Sequence, residues 1–455
     1  MQKNILFIAE QKNNREAWEI LQDLGYAITP VVNRDNIAEK IIQNKPQFAT
    51  IDEDYFLNNR DSLSQTAKIL QDTKTDFLLF SSRPSRETVL EAKALGAKDC
   101  IFKPFNWREF ILRFNAAVNR KTRISCIGGG TGLFSILLGL KNIPSILLTS
   151  IVNMSDDGGS SGKLVVSFGI LPPGDVRRSL VALSNAPELM NKVLQHRFEG
   201  GDYFSGHSFG NLFLTALAEI KGSMSEAVKG LGDILNIQGI VLPVTSQQTT
   251  LCAEFENGFI LKGESKIDLV QDRDVNLSIK NLWLEPQAEC DADVYASIIN
   301  SDFIIIGPGD LYTSVITNLL VKNLPEAVSK TSAKKIYICN LMTKPGETGN
   351  YNALRHTSEV LKYLNGDYLD YLIISNTQLS QRAKTEYAKN GQFPVEAGQI
   401  KELTKLTGAE IILADVGHKE ELVRHDSEKI KQQIAKIISA KNALFLAGTY
   451  DNMNP

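Results

Sequence analysis

The sequence predicts an α/β protein of two domains, each built around a parallel sheet, which is doubly wound in the first domain. Two observations support this fold class. Short apolar runs alternate with amphipathic segments along most of the chain, which is the pattern of strands separated by helices. The length of 455 residues is also too great for one ordinary hydrophobic core. A polar stretch at 119–122 interrupts the alternation, and we predict domains at 1–121 and 122–455.

The composition excludes several classes of protein. The net charge of −3 and the absence of a Lys/Arg block give no electrostatic reason to expect binding to nucleic acid or to an anionic membrane. No apolar run reaches the ~20 residues of a membrane span, and the one near the N-terminus is too short for a signal peptide. Cysteines and histidines are scattered without zinc-site spacing. We therefore expect a cytoplasmic protein with reduced cysteines.

The first domain alternates five times between strand and helix patterns. The predicted strands are 5–9, 27–32, 48–51, 77–80 and 100–102. Helical patterns lie between them, and the last helix is predicted at 107–119. This order predicts a parallel sheet with helices on both faces.

The second domain begins with a strand that runs directly into a glycine-rich loop. Strand 124–127 precedes Gly128, Gly129, Gly130, Thr131 and Gly132, and a helix follows at 133–140. Adjacent glycines permit positive φ and close approach to a ligand. The free amides of a helix start attract an anion. The loop is neither G-x-G-x-x-G nor a Walker A loop, and a tight turn without a ligand is the alternative.

The same arrangement recurs further along the chain. Strand 303–306 precedes Gly307, Pro308 and Gly309, and a helix start follows. Loops at the carboxyl ends of strands in an open parallel sheet can share one crevice. We therefore expect both glycine loops to bind the phosphates of one nucleotide.

An acidic loop follows the strand predicted at 146–152. Asp156 and Asp157 lie within S-D-D-G-G-S-S-G. An acid in this place typically contacts a ribose hydroxyl, whereas paired carboxylates can hold Mg²⁺ beside phosphates. Both aspartates are candidate catalytic residues, and Asp156 is also a candidate nucleotide or metal ligand. A solvated, flexible loop is the alternative.

The polar stretch 206–211 precedes a helix predicted at 212–220. Ser208 and Asn211 lie near the helix start and are candidates for nucleotide binding. His207 is a candidate general acid or base, with a structural role at the helix entry as the alternative.

A β-hairpin insertion interrupts the second domain. Asn257-Gly258 lies between two alternating runs, which predicts a hairpin with a type I′ turn. Strands at 336–339, 371–375 and 411–414 then complete the larger sheet.

Several strings in the second domain together resemble the gluconeogenesis factor family, whose members are relatives of 2-phospho-L-lactate transferase. They include IGGGTGL, SDDGGSSG, GILPPGD, GHSFGNLFL, GPGDLYTSVI and NLMTKPGET, and they extend from 124 to about 426. The resemblance implies a Rossmann-like fold that binds UDP-sugars such as UDP-N-acetylglucosamine. It also implies a role in cell shape, cell-wall synthesis and growth on gluconeogenic carbon. The implied ligand contacts are Gly128 to Gly132, Asp156, Asn211 and Gly307 to Gly309.

Three functions remain open. A regulatory protein that binds a UDP-sugar or another nucleotide fits the lack of an obvious nucleophile–base pair. A transferase of phosphorus-containing groups fits Asp156 and Asp157 if these carboxylates hold Mg²⁺ near a phosphate, although no cofactor is certain. A structural protein with a vestigial pocket is the third. We expect a homo-oligomer.

The first domain resembles a response-regulator receiver domain. Asp52 follows the third strand at the phosphoacceptor position, Ser81 ends the fourth strand, and Lys103 follows the fifth. After the first strand, Ala9-Glu10 replaces the usual acidic pair, and one carboxylate binds Mg²⁺ less well than two. Phosphorylation of Asp52 and a degenerate receiver that docks a protein partner or dimerises both remain open.

Overall fold

A computed structural model describes residues 3–9, 11–32, 36–57, 59–200, 203–269, 274–275, 277–366, 368–419 and 422–451. Glu10, which the sequence places at the acidic position after the first strand, lies outside these residues. The chain divides into two compact units. The first comprises Met1–Arg123, Ser145–Leu147 and Asp291–Ser301, and the second comprises Ile124–Pro144, Leu148–Cys290 and Asp302–Pro455.

The first unit contains a parallel sheet. Its strands are β1 (Asn4–Ile8), β2 (Ala27–Val31), β3 (Phe48–Asp52), β4 (Asp76–Ser81) and β5 (Asp99–Phe102). They lie in the order β2-β1-β3-β4-β5, and every neighbouring pair is parallel. This is the flavodoxin-like order, which receiver domains share. It confirms the receiver-like fold class predicted for the N-terminal part.

Helices connect these strands and bury their apolar sides against the sheet. They are α1 (Gln11–Asp23), α2 (Ile37–Asn44), α3 (Arg60–Asp72), α4 (Arg86–Ala94) and α5 (Trp107–Val118). Side chains of Asn59, Ser85 and Asn106 cap α3, α4 and α5 by accepting hydrogen bonds from first-turn amides. Phe110 and Phe114 of α5 are fully buried against the sheet, so one face of α5 builds much of this core.

The strands of the second part of the chain form two further sheets. In chain order they are β6 (Thr122–Gly128), β7 (Ile146–Val152), β8 (Ile240–Pro243), β9 (Thr250–Phe255), β10 (Ile260–Lys262), β11 (Ile279–Glu285), β12 (Phe303–Ile306), β13 (Lys334–Ile338), β14 (Tyr371–Ser375) and β15 (Glu410–Ala414). The larger sheet has the order β15-β14-β13-β12-β6-β7-β8. Parallel pairing links β6 through β12, β13 and β14 to β15, and it also links β7 to β8.

The order in which the chain adds strands to the larger sheet reverses between β6 and β12, although the two strands are parallel. The chain leaves β6 toward β7 and β8, and later returns to the other side of β6 with β12. In the register of this pair, Ile127 lies opposite Ile306, so both strands end at the same edge. Such a switch point leaves a crevice at the carboxyl ends of the two strands. The Rossmann-like fold class predicted for this part is confirmed.

The insertion is wider than the hairpin that the sequence predicts. Strands β9 and β10 form the hairpin, and β11 adds a third antiparallel strand on the other side of β9. The predicted type I′ turn is wrong. Phe255 pairs with Phe259 across a three-residue loop, and Gly258 has a φ of 82° whereas Asn257 does not have positive φ. A three-residue loop places only its last residue in the left-handed region, which Gly258 adopts without strain.

The remaining helices follow β6 along the chain. They are α6 (Gly130–Leu140), α7 (Gly159–Phe168), α8 (Gly174–Leu183), α9 (Glu188–Gln195), α10 (Phe209–Lys221), α11 (Met224–Ile234), α12 (Glu264–Asp268), α13 (Ala292–Ile299), α14 (Thr317–Leu319), α15 (Leu324–Lys330), α16 (Ala353–Tyr363), α17 (Gln381–Lys389), α18 (Ile400–Thr407) and α19 (Ser427–Asp451). A π-helical turn, Leu311–Ile316, precedes α14. Among the described residues, no helix is long and apolar enough to cross a membrane.

Candidate functional site

The two glycine loops contact each other above the switch point. A β-carbon added at Gly132 would lie only 2.4 Å from the carbonyl oxygen of Pro308, and one added at Gly309 would lie 3.3 Å from that of Gly129. Only a residue without a side chain fits at 132 unless the loops move apart. Asn318 Nδ2 donates to the Gly128 carbonyl (3.1 Å) and holds the first loop from below. The structure therefore brings the two predicted loops together.

The first loop presents backbone donors to solvent. Gly130, Thr131 and Gly132 form the first turn of α6, whose amides have no acceptor within the helix. No side chain caps this helix start, because its N-cap residue is Gly129. Gly130 has a φ of 63°, a conformation that glycine adopts readily. Unpaired amides and the positive end of the helix dipole together favour a bound anion here.

A cavity of about 340 Å³ opens over the two loops. We call it the glycine-loop cavity. It is lined by Gly130, Thr131, Gly132, Pro308, Gly309, Asp310, Ser314, Asn340, Leu341, Met342, Thr343, Lys344, Tyr387, Gln392, Val423, Arg424 and His425. The loops form its floor, and three later segments of the chain form its walls.

Polar groups of the wall that follows β13 are tied to the second loop. Asn340 Nδ2 donates to the Gly309 carbonyl (2.8 Å) and so helps to fix the loop. Lys344 Nζ lies 2.9 Å from a carboxylate oxygen of Asp310 and also pairs with Asp268. The positive charge of Lys344 is therefore largely compensated within the protein.

Another segment of the wall contains a buried histidine and an exposed arginine. His425 is only 6% exposed, and its Nε2 has no hydrogen-bond partner among the described residues. Burial lowers the pKa of His425 to about 4, so the ring is neutral at pH 7. Arg424 is exposed at the mouth of the cavity. This wall therefore offers a neutral ring nitrogen inside and a cation at the entrance.

Asp156 and Asn211 lie in a second, neighbouring cavity of about 220 Å³. We call it the arginine cavity. It is lined by Asp156, Gly158, Gly159, Ser160, Ser161, Gly174, Arg177, Arg178, Arg197 and Asn211. Asp175 connects it to the first loop, since a β-carbon on Gly129 would lie 2.4 Å from Asp175 Oδ2. The residues predicted to share one crevice are thus distributed over two adjoining cavities.

The two acidic candidates face different partners. Asp156 Oδ1 accepts from the Gly158 amide (3.0 Å), and burial, followed by the nearby Asp175 carboxylate, raises the pKa of Asp156. Asp157 Oδ1 instead accepts from the Ser265 amide (2.7 Å). The Asp175 carboxylate therefore affects the pKa of Asp156, which the sequence does not reveal. Within the described chain, no group of three or more His, Cys, Asp or Glu side chains is arranged to hold a metal ion.

His207 and Ser208 contact residues that line the arginine cavity. His207 Nδ1 lies 3.0 Å from Ser160 Oγ, and burial, reinforced by nearby Lys163 and Arg197, lowers the pKa of His207. Ser208 is fully buried and caps α10 by accepting from the Asn211 amide (3.3 Å). These contacts position Ser160 and Asn211, whose side chains line the cavity.

Asp52, Ser81 and Lys103 lie at the carboxyl ends of the neighbouring strands β3, β4 and β5. Lys103 Nζ lies 2.8 Å from Asp52 Oδ1 and 2.5 Å from Asp54 Oδ2. Asp52 is 2% exposed, whereas the Asp54 side chain is 19% exposed. The hydroxyl of Ser81 accepts from the Arg83 amide, and it is Ser82 Oγ that donates to Asp54 (2.9 Å). Lys103 thus forms an ion pair with Asp52, and Ser81 follows Phe80, the residue that pairs with Asp52 across β3 and β4.

Sequence reasoning missed most of the wall residues of the glycine-loop cavity. Asn340 to Lys344 follow β13, the neighbour of β12, and the rule for carboxyl ends of parallel strands could have found them. Tyr387, Arg424 and His425 give no comparable local signal. They lie on helix α17 and on a bridge-forming segment that only the folded chain brings to the cavity.

The comparisons with known proteins concern mainly the second part of the chain. The sequence model of the family described as "2-phospho-L-lactate transferase CofD" matches residues 124–417. The gluconeogenesis factor of Bacillus subtilis is 39% identical over 323 residues, which cover 70% of this chain and 99% of that protein. That of Halalkalibacterium halodurans is 38% identical over 316 residues, covering 69% and 96%.

A solved structure supports the same relationship. A crystal structure of a protein from Bacillus halodurans is 38% identical, with a TM-score of 0.66, and the match covers 69% of this chain and 99% of that one. Sequence and fold therefore agree over the region that carries both cavities. The chain belongs to the 2-phospho-L-lactate transferase CofD family and is a homologue of the gluconeogenesis factors.

Proposed function

We propose that this protein binds a UDP-sugar in the glycine-loop cavity and that the ligand regulates it. The observation that carries the proposal is the contact between the two glycine loops at the carboxyl ends of adjacent strands. Two linked phosphates suit such a pair of loops, because each loop can donate backbone hydrogen bonds to one of them.

The walls of the cavity supply groups that suit the rest of a nucleotide. The ring of Tyr387 offers a surface on which a base can stack. Arg424 at the mouth can pair with a phosphate, and the neutral His425 can exchange a hydrogen bond with a sugar or base. The choice of uracil and of a sugar diphosphate rests on the resemblance to the gluconeogenesis factors.

A regulatory rather than catalytic role is favoured by the chemistry of this cavity. A nucleophilic serine, threonine or cysteine needs a base within hydrogen-bond reach. His425 Nε2 has no such partner among the described residues. That such a regulator acts upstream of cell-wall synthesis and gluconeogenic carbon use, with an effect on cell shape, rests on the resemblance to the gluconeogenesis factors. A strain lacking the protein should lose normal shape on gluconeogenic carbon, and an Arg424→Ala copy should fail to restore it.

Isothermal calorimetry on the full-length protein tests the ligand. We expect heat with UDP-N-acetylglucosamine or UDP-glucose, and an affinity reduced at least about tenfold in Arg424→Ala, because a charge-assisted hydrogen bond is lost. Arg382→Ala removes an exposed arginine near the start of α17 and serves as the matched control. An absence of heat at millimolar ligand, or equal affinities in both variants, would contradict the proposal.

A transferase is the second candidate, and one observation favours it. Asp175 adjoins Gly129 on one side and Asp156 on the other, so a group bound at the glycine loops lies next to the arginine cavity. Asp156 and Asp175 could then hold Mg²⁺ together with substrate phosphates, which would neutralise developing charge. Phosphorus NMR spectra of the nucleotide and Mg²⁺, recorded with the unmodified protein and with the Asp156→Asn variant, decide between the candidates. Turnover that the variant abolishes would favour transfer, and an unchanged spectrum favours regulation.

A further inference from the structure

We propose that the arginine cavity binds the dianion of a phosphate or phosphomonoester group, as a site separate from the glycine-loop cavity. The inference does not depend on the nucleotide proposed above. It rests on buried donors that lack partners, on two helix starts that line the same space, and on an excess of positive charge.

Arg177 is the main observation. Its side chain is 6% exposed, and its Nε has no hydrogen-bond partner among the described residues. Another of its nitrogens reaches the Leu194 carbonyl only at 3.4 Å. Burial, with Arg178 and Arg197 next in effect, lowers the pKa of Arg177 to about 10, so it is still charged at pH 7. A buried guanidinium with an unpaired donor is costly, and an oxyanion in the cavity would satisfy it.

Asn211 adds a second buried group with unused hydrogen-bonding capacity. It is 3% exposed, and its Nδ2 donates to Ser160 Oγ (3.1 Å) while its Oδ1 has no partner among the described residues. An amide nitrogen carries two hydrogens, so Nδ2 can donate one more bond. Since Ser160 is fixed by His207 at 3.0 Å, Asn211 is held in place for such a bond.

Two helix starts contribute backbone donors to the same cavity. Helix α7 begins at Gly159 and α8 at Gly174, and these residues line the cavity. Neither N-cap residue supplies a side-chain cap, and the Asp156 carboxylate lies beside the start of α8, 2.8 Å from a β-carbon added at Gly174. The positive ends of both helix dipoles add to the attraction for an anion.

The charges that face the cavity are positive on balance. Arg177, Arg178 and Arg197 line it. The opposing carboxylates are Asp156, which lines the cavity, and Asp175, which forms an ion pair with Arg178. Three guanidinium groups face these two carboxylates, which leaves one positive charge in excess. The volume of about 220 Å³ suits a phosphate with a small substituent and is smaller than that of the glycine-loop cavity.

Calorimetry with two probes tests the proposal on the full-length protein. Inorganic phosphate and glycerol 3-phosphate are each titrated at constant ionic strength set with chloride. Arg197→Ala changes an exposed side chain, and Arg177→Lys keeps the buried charge but loses the planar fork. We expect each variant to weaken binding about tenfold or more, and Arg382→Ala to leave it unchanged.

The two probes distinguish the source of the group. Tighter binding of glycerol 3-phosphate identifies a phosphomonoester site, and tighter binding of inorganic phosphate identifies a site for the free ion. Arg424→Ala separates this proposal from the proposed function, because it should weaken nucleotide binding without removing phosphate binding. Phosphate binding that is absent, that both cavity variants retain in full, or that Arg424→Ala abolishes would overturn the inference.

Discussion

At the scale of single residues, two buried histidines link stability to pH. Burial lowers the pKa of His356 and of His425 from 6.5 to about 4. Between these two values the unfolded chain binds a proton at each histidine and the folded chain does not. Stability therefore rises with pH across this range and is lost as the pH falls from about 6.5 to about 4, by up to about 3 kcal/mol per histidine.

His356→Gln should flatten this dependence. Urea unfolding between pH 7 and pH 4 measures it, and the variant is expected to lose less stability on acidification than the unmodified protein. His418→Gln is the control, because the His418 side chain is 55% exposed. Identical slopes for His356→Gln and the unmodified protein would contradict the burial of a neutral ring.

A buried ion pair gives the second prediction for single residues. Burial alone would raise the pKa of Asp99, but Arg113 and then Arg123 lower it below its usual range. Arg113 Nη2 lies 2.6 Å from Asp99 Oδ1, and both side chains are almost fully buried. Asp99→Asn removes the carboxylate nearest to Arg113 and leaves this buried cation with Glu109 at 3.1 Å and Asp293 at 3.5 Å, which should cost about 3 kcal/mol of stability.

Asp76→Asn is the matched control for that substitution. Asp76 also has two cationic partners, Lys98 at 3.1 Å and Arg120 at 3.2 Å, but those partners are exposed. Its loss should change the free energy of unfolding by less than about 1 kcal/mol. Equal effects of the two substitutions in chemical unfolding would show that burial does not set the strength of the Asp99 pair.

At the scale of elements, the contact between the glycine loops requires a residue without a side chain at position 132. Gly132→Ala places a β-carbon 2.4 Å from the Pro308 carbonyl oxygen, so the loops must separate. We expect a loss of about 2 kcal/mol in stability and of most nucleotide affinity. Gly200→Ala is the control, since a β-carbon there meets nothing within 4 Å. Normal ligand affinity in Gly132→Ala, measured by calorimetry, would disprove the proposed role of this contact.

The elements themselves were largely predictable from the sequence. Strands β7 and β12 have the bounds that their apolar runs predict. Parallel strands that are buried on both faces consist of continuous apolar residues, and such runs are visible in a sequence. The hairpin turn was mispredicted, because Asn-Gly occurs in loops of two and of three residues, and register decides between them. The division into two cavities was missed because it depends on how Asp175 packs against Gly129, which no local pattern reports.

At the scale of the whole molecule, the two units should respond differently to the nucleotide. Hydrogen exchange measures this along the full chain. With ligand at about 100 times its Kd, amides of Gly130 to Gly132 should exchange about 100-fold more slowly, because only ~1% of the protein is then unliganded. Amides of β1 to β5, in the first unit, should be unaffected. Slower exchange everywhere, or nowhere, would contradict a ligand held by these loops.

The position of β6 in the larger sheet has a consequence for synthesis on the ribosome. Its neighbour β7 follows directly along the chain, but its other neighbour, β12, is translated only after the insertion and α13. Until then, β6 of the nascent chain has an unpaired, apolar edge, and only the first of the two glycine loops has been synthesised. Unpaired edges of this kind are prone to aggregation, so nascent chains of intermediate length are where we expect chaperones to be needed.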